Sequence, residues 1–237
     1  MRIPIELFEK ASWTELITAT VVVLFFTIVL LQVFSSTSGK KVSRKRGDIA
    51  LIIGPCGAGK TTLYYKWSLP GQKVKTVTSQ TALRGKVLTG SSLEIVDYPG
   101  HPRLRHGAHA LLPRAQKIVF LLDATSDDFK SVSEQLYDLL VAKELRADAK
   151  LLLCRNKTES SKARSESTIL KALNDEIEKL RHARSQHLDG ENADLDQYLG
   201  VSDEVFDIKA HCPVDVAFGS VSAMKGNIAD IESFLAQ

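Results

Sequence analysis

Cysteine is scarce in this chain, with three in 237 residues. Cys56, Cys154 and Cys212 lie far apart, which excludes a disulfide-stapled scaffold. No Cys-x-x-Cys or Cys/His cluster offers the spacing of a structural zinc site. Such thiols suit a reducing compartment, where free cysteine behaves as a small apolar residue. Neither sign of charge prevails: 31 Lys and Arg face 28 Asp and Glu, a formal net charge of +3. That balance argues against a dedicated nucleic-acid binder, and no direct nucleic-acid contact is expected. Aromatic residues make up 7%, apolar residues 44% and charged residues 25%, the proportions of an ordinary globular chain. Internal repeats and low-complexity tracts are absent. Residue 2 is Arg rather than Gly, which excludes N-myristoylation.

What is present is locally concentrated. Residues 16–34 read LITATVVVLFFTIVLLQVF, without a charge. At 1.5 Å per residue they would form about 28 Å of helix, close to the thickness of a bilayer core. Trp13 precedes them at the place of an interfacial aromatic. The linker 35–47 follows with Lys40, Lys41, Arg44, Lys45 and Arg46 and no acid. The positive-inside rule therefore predicts a transmembrane helix over 16–34, with the basic linker cytosolic and residues 1–15 across the membrane. A cleaved signal peptide would have a shorter apolar core and its basic residues ahead of it, so the anchor is the better reading.

Residues 48–237 are enough for one substantial core. Short apolar strands at 49–53, 117–123, 150–154 and 214–221 alternate with helical stretches, among them 127–146, 168–187 and 227–235. Segments 82–88 and 93–97 read as a hairpin pair. This alternation predicts an α/β fold, a mostly parallel sheet with helices on both faces and ligands at the carboxyl ends of the strands. Polar, aperiodic residues 188–207 read as a surface insertion.

Between the first strand and its helix, Gly54-Pro55-Cys56-Gly57-Ala58-Gly59-Lys60-Thr61 fits G-x-x-x-x-G-K-[ST], a P-loop, followed by Thr62. Its glycines let backbone N–H groups curl around phosphate oxygens. Lys60 supplies a cation to the β- and γ-phosphates, and the Thr61 hydroxyl suits Mg²⁺. The helix adds the positive end of its dipole. Three further segments each follow a strand: Asp97-Tyr98-Pro99-Gly100-His101 fits D-x-x-G, Asn156-Lys157-Thr158-Glu159 resembles N-K-x-D, and Ser222-Ala223 resembles a third base-contacting element. In chain order they indicate a GTPase domain. A carboxylate at Glu159 can accept both N1–H and the exocyclic amine of guanine, a donor pair that adenine lacks. Asn156 can bind the other base edge, and the Lys157 stem can cover the ring. Asp97 is expected to hold Mg²⁺ through water and the Gly100 N–H to meet the γ-phosphate. Either Thr76 or Thr78 completes the metal site, and spacing favours Thr78.

Together the N-terminal span, the GxxxxGKT loop, T-x-T-S, D-x-P-G-H, N-K-x-[DE] and the run LNDEIEKLRHARS (173–185) resemble the family of signal recognition particle receptor β subunits, which are Arf-like GTPases. The resemblance implies a GTP/GDP- and Mg²⁺-dependent switch, anchored by a single pass in the endoplasmic reticulum membrane with a lumenal N-terminus. It also implies a complex with the receptor's α subunit that recruits ribosome and signal recognition particle complexes for co-translational targeting. Cys56 occupies a loop position where fast Ras-like enzymes keep glycine, and His101 stands at their water-orienting glutamine. His101 either orients water or caps the switch. With Lys60 and Gly100 it completes the catalytic set, and slow intrinsic hydrolysis is expected. Two alternatives are a nearly non-hydrolysing GTP-bound tether and an Arf- or Rab-like trafficking GTPase, although the latter uses lipid anchors rather than a span.

Overall fold

The computed structural model describes residues 17, 20–24, 27, 47–69, 75–86, 92–187, 198–201 and 203–237. The chain divides into two compact units, Met1–Lys45 and Arg46–Gln237. In the first, the described residues are helical and exposed, Val21 and Val23 at 60% and 62%. Among the described residues no helix is long and apolar enough to cross a membrane. Most of the span predicted at 16–34, the N-terminus 1–15 and most of the linker 35–47 lie outside the described residues.

The second unit is built on a six-stranded sheet. Its elements are β1 (Ile49–Ile53), α1 (Lys60–Ser68), β2 (Leu83–Lys86), β3 (Glu94–Asp97), β4 (Ala115–Asp123), α2 (Phe129–Leu140), β5 (Lys150–Asn156), α3 (Glu166–His187), α4 (Ile208–His211), β6 (Asp215–Ser220) and α5 (Ala229–Ala236). The strand order is β2-β3-β1-β4-β5-β6. Only β2 runs antiparallel, paired with β3 as a hairpin; the other neighbours are parallel. Short crossovers through helices produce that arrangement and cover both faces.

Alternation along each strand divides the core. Leu51, Ile53, Ile118, Phe120, Leu122, Leu151 and Leu153 point to one face, against Leu136 and Leu140 of α2 and Leu173 and Ile177 of α3. Ala50, Ile52, Val119, Leu121, Leu152 and Cys154 point to the other, against Leu63 and Trp67 of α1 and Ile231 and Leu235 of α5. The 3.6-residue period of α3 is what lays Ile169, Leu173 and Ile177 on one stripe.

Two segments differ from the sequence expectation, and a third, Arg105–Arg114, carries none. The helix predicted over 127–146 begins on the Asp128 side chain, which accepts the Ser131 N–H, and ends at Leu140. Beyond it, Arg146 binds the Asp148 carboxylate and the Pro113 carbonyl instead of continuing a helix. Residues Arg105–Arg114 form a 3₁₀ helix with Pro113 inside it, a turn type that carries no amphipathic period to read. The described end of 188–207 is not purely superficial: Leu199 and Phe206 are 3% and 1% exposed. The fully buried Arg181 guanidinium organises this stretch, donating to Tyr198 Oη and to the carbonyls of Val201 and Glu204.

Candidate functional site

Where β1, β3 and β5 end, a cavity of about 230 Å³ opens. Its walls come from the 54–61 loop, the first turn of α1, residues 76–79, residues 98–100 and Lys157. Parallel strands ending together make this a topological switch point: after β1 the chain runs to β2 and β3 on one side of it, and after β3 it crosses to β4 on the other.

The loop is tightly constrained. Gly59 caps α1 with φ of 91°, a left-handed conformation, and a Cβ there would lie 2.3 Å from the Asn156 amide nitrogen. Gly100 is required by close approach: its Cβ would fall 2.4 Å from the Gly54 carbonyl and 2.5 Å from Lys60 Nζ. Residues 97–100 therefore rest directly on the loop.

Lys60 is buried, and its Nζ donates to the carbonyls of Gly54 and Pro55, each at 2.8 Å. An ammonium has three donors, so one N–H remains. Burial pulls the Lys60 pKa below the usual lysine value, and attraction to Asp97 offsets part of that. Asp97 is fully buried; burial raises its carboxyl above the usual range, opposed by the Thr61 hydrogen bond and by Lys60. Its Oδ2 accepts the Thr61 hydroxyl at 2.8 Å, while Oδ1 is buried without a partner. Such an orphan oxygen is costly unless something donates to it or coordinates beside it. Thr61 Oγ1 also meets Ser79 Oγ at 2.8 Å, and Thr62 meets Thr76 at 3.0 Å. Hydroxyls and one carboxylate, with no group of three His, Cys, Asp or Glu among the described residues, match a hard cation. Mg²⁺ keeps several waters and takes the rest of its ligands from phosphate. The residues present fit it.

Farther along the rim, Asn156 is 2% exposed and uses both ends of its amide. Nδ2 donates to the Ala58 carbonyl at 2.7 Å and Oδ1 accepts the Ala223 N–H at 3.0 Å. It ties the phosphate-type loop to the segment after β6 and keeps a second Nδ2 hydrogen. Ser222 is buried and accepts the Lys225 N–H through its hydroxyl. Glu159 is half-buried, and its Oε2 is enclosed without a partner.

Of the nominated residues, Cys56, Gly57, Gly59, Lys60, Thr61, Thr62, Thr76, Thr78, Gly100 and Lys157 line the cavity. Gly54, Pro55, Ala58, Asp97 and Asn156 support that wall through the contacts above, and Ser222, Ala223 and Glu159 lie at the neighbouring strand ends. His101 is not brought in: it is exposed, and its Nδ1 accepts the Arg103 N–H at 3.2 Å. Two further residues, Ser79 and Asp123, bear on the site. Ser79, the last residue of T-x-T-S, meets the Thr61 hydroxyl at 2.8 Å and lines the cavity beside Thr76 and Thr78. Asp123 ends β4 and pairs in register with Asn156, a signal available only once strand pairing is known.

Residues 45–211 match the family model of the signal recognition particle receptor beta subunit. The mouse signal recognition particle receptor subunit beta is 32% identical over 239 residues, covering 92% of this chain and 86% of the mouse protein. The yeast (Saccharomyces cerevisiae) subunit is 32% identical over 182 residues, covering 73% of this chain and 74% of its own length. A solved structure of the mammalian SRP receptor superimposes with a TM-score of 0.69 at 31% identity, over 79% of this chain and 98% of that one. The chain belongs to the signal recognition particle receptor beta subunit family, Arf-like small GTPases of the SRP receptor.

Proposed function

We propose that this chain is a guanine-nucleotide switch that holds the receptor's α subunit at the endoplasmic reticulum membrane. One observation carries the reading: a buried Lys60 ammonium and a cluster of hydroxyls line one cavity at the strand ends, and Asp97, whose second oxygen is buried without a partner, holds Thr61 in its wall. That donor set is what a polyphosphate with a hard cation requires. Loop amides of 54–61 and the third Lys60 N–H would take the β- and γ-phosphate oxygens. Thr61, a hydroxyl of 76–79 and Asp97, the last through water, would hold Mg²⁺, which when bound neutralises phosphate charge. Glu159 would accept from the guanine edge, satisfying its enclosed oxygen, and Lys157 would lie along the ring.

Because residues 97–100 press on the loop that would hold the γ-phosphate, loss of that phosphate releases their anchor, an order–disorder switch. The membrane role rests on the charge-free run 16–34 followed by the basic linker, together with family membership. Recruitment of ribosome and signal recognition particle complexes would pass through the α subunit. A second reading, a tether that keeps GTP and rarely hydrolyses it, is favoured by His101, which lies exposed and outside the cavity.

Nucleotide competition on the purified chain tests the reading. GTP and GDP should outcompete ATP in the presence of Mg²⁺, Lys60→Ala should abolish retention, and Glu159→Ala should narrow the preference for guanine. Equal binding of GTP and ATP by the unaltered protein would overturn the guanine reading. Comparing the nucleotide that co-purifies with free and α-bound protein separates a cycling switch from a tether.

A further inference from the structure

The geometry points to Asp123 as the residue that positions Lys157 against the base of a bound guanine nucleotide, an inference that rests on the nucleotide reading above. Lys157 lines the cavity, but its ammonium is turned away to Asp123 Oδ2, at 2.5 Å. With the head group held there, the four-carbon stem is what remains for a planar ligand to lie against. The carboxylate that holds it is itself held. Its Oδ1 accepts both the N–H of Thr125 at 2.9 Å and the Thr125 hydroxyl at 2.7 Å. Burial alone would raise the Asp123 pKa, yet the hydrogen bonds from Lys157 and Thr125 outweigh it, and the carboxyl sits below its usual range.

Backbone geometry points the same way. Asp123 and Asn156 are register partners at the ends of β4 and β5, and the Ala124 N–H donates to the Asn156 carbonyl at 3.0 Å. Lys157 follows with φ of 65°, the sole non-glycine positive φ among the described residues. A residue with a side chain occupies that region at a cost, and persists there when its surroundings over-determine it. Backbone bonds on either side fix it, Ala124 N–H to the Asn156 carbonyl and Thr158 N–H to the Val221 carbonyl, and the Asp123 ion pair holds the side chain that this backbone presents. Asp123 thus acts through Lys157, and its effect is specific to ligands that carry a base.

The test uses the full-length protein in detergent, loaded with a ribose-labelled fluorescent GDP and chased with unlabelled GDP. Asp123→Asn keeps an Oδ1 acceptor for Thr125 and replaces only the oxygen facing Lys157. It is expected to speed GDP release about tenfold, the loss of one charge-assisted hydrogen bond. Displacement by magnesium tripolyphosphate, a base-free probe, is expected to stay at the wild-type level. In a Lys157→Ala background, Asp123→Asn is expected to add nothing. Unchanged GDP release in Asp123→Asn overturns the inference, as does an equal acceleration in the Lys157→Ala background or an equal loss of tripolyphosphate binding. Should Asp123→Asn not fold, Lys157→Met, which keeps the stem but cannot bind the carboxylate, should reproduce the faster release; wild-type release by that variant overturns the inference. A wild-type protein that retains no guanine nucleotide overturns the nucleotide reading and this inference with it, whereas retention with an indifferent Asp123→Asn removes this inference alone.

Discussion

Replacing Asn156 by Ala separates two roles that the same side chain is assigned. As a reader of the base edge, it would matter only when nucleotide is bound. As a tie between loops, it would matter in the empty protein. The structure gives it two buried hydrogen bonds, to the Ala58 carbonyl at 2.7 Å and from the Ala223 N–H at 3.0 Å, at 2% exposure. Alanine removes both partners and leaves a buried carbonyl and a buried amide unmet, each costing about 1–3 kcal/mol. The expected destabilisation is about 2–6 kcal/mol, a large share of the roughly 5–15 kcal/mol that holds a domain folded. Urea unfolding with EDTA and no nucleotide, followed by the fluorescence of the buried Trp67, measures it. A nucleotide-free midpoint that shifts by less than the equivalent of about 0.5 kcal/mol would refute the tie and leave Asn156 as a base reader only.

Three other perturbations probe the same cavity. Asp97 has a folded-state pKa above its unfolded value, so its stabilising contribution is full below the unfolded pKa and is lost as pH rises through the folded one. Magnesium binding favours the ionised carboxylate, so Mg²⁺-dependent nucleotide retention should weaken as pH falls through that raised value, and Asp97→Asn should abolish the pH dependence; titrating retention against pH checks both. Gly100→Ala puts a Cβ 2.4 Å from the Gly54 carbonyl and 2.5 Å from Lys60 Nζ, and overpacking against backbone costs about 1–3 kcal/mol. Nucleotide affinity measured by fluorescence should fall accordingly, and wild-type affinity would show that residues 97–100 can lift off the loop freely. His101→Ala should change single-turnover GTP hydrolysis less than about threefold, since general acid–base groups contribute roughly 10²–10⁴-fold and this ring lies exposed outside the cavity. A hundredfold drop would return His101 to the chemistry.

What the sequence could and could not reveal follows from how each feature is encoded. The loop 54–61 was legible because its glycines answer local demands. The positive φ of Gly54 and of Gly59 is met by the residue type alone, as is the close approach of Gly100 in the segment that rests on the loop. α3 was legible because burial imposes a period, and the β2–β3 hairpin because two short runs flank a polar turn. The 3₁₀ helix Arg105–Arg114 imposes no such period, and Leu199 and Phe206 enter the core from an irregular stretch held by the distant Arg181. The same distinction governs the site. Thr61, Asp97 and Lys60 could be named because each belongs to a short motif, but Ser79 reaches Thr61 from a loop with no repeat that would rank one hydroxyl above its neighbours. Asp123 is the sharper case. It is separated from Lys157 by all of α2 and acquires its meaning only when β4 and β5 pair in parallel and set it level with Asn156. In a parallel sheet, strand ends of equal register become neighbours in the site whatever their distance along the chain. A carboxylate that closes one strand is therefore best read against the residues that close the strand beside it, and that is where the nucleotide-positioning role of Asp123 is encoded.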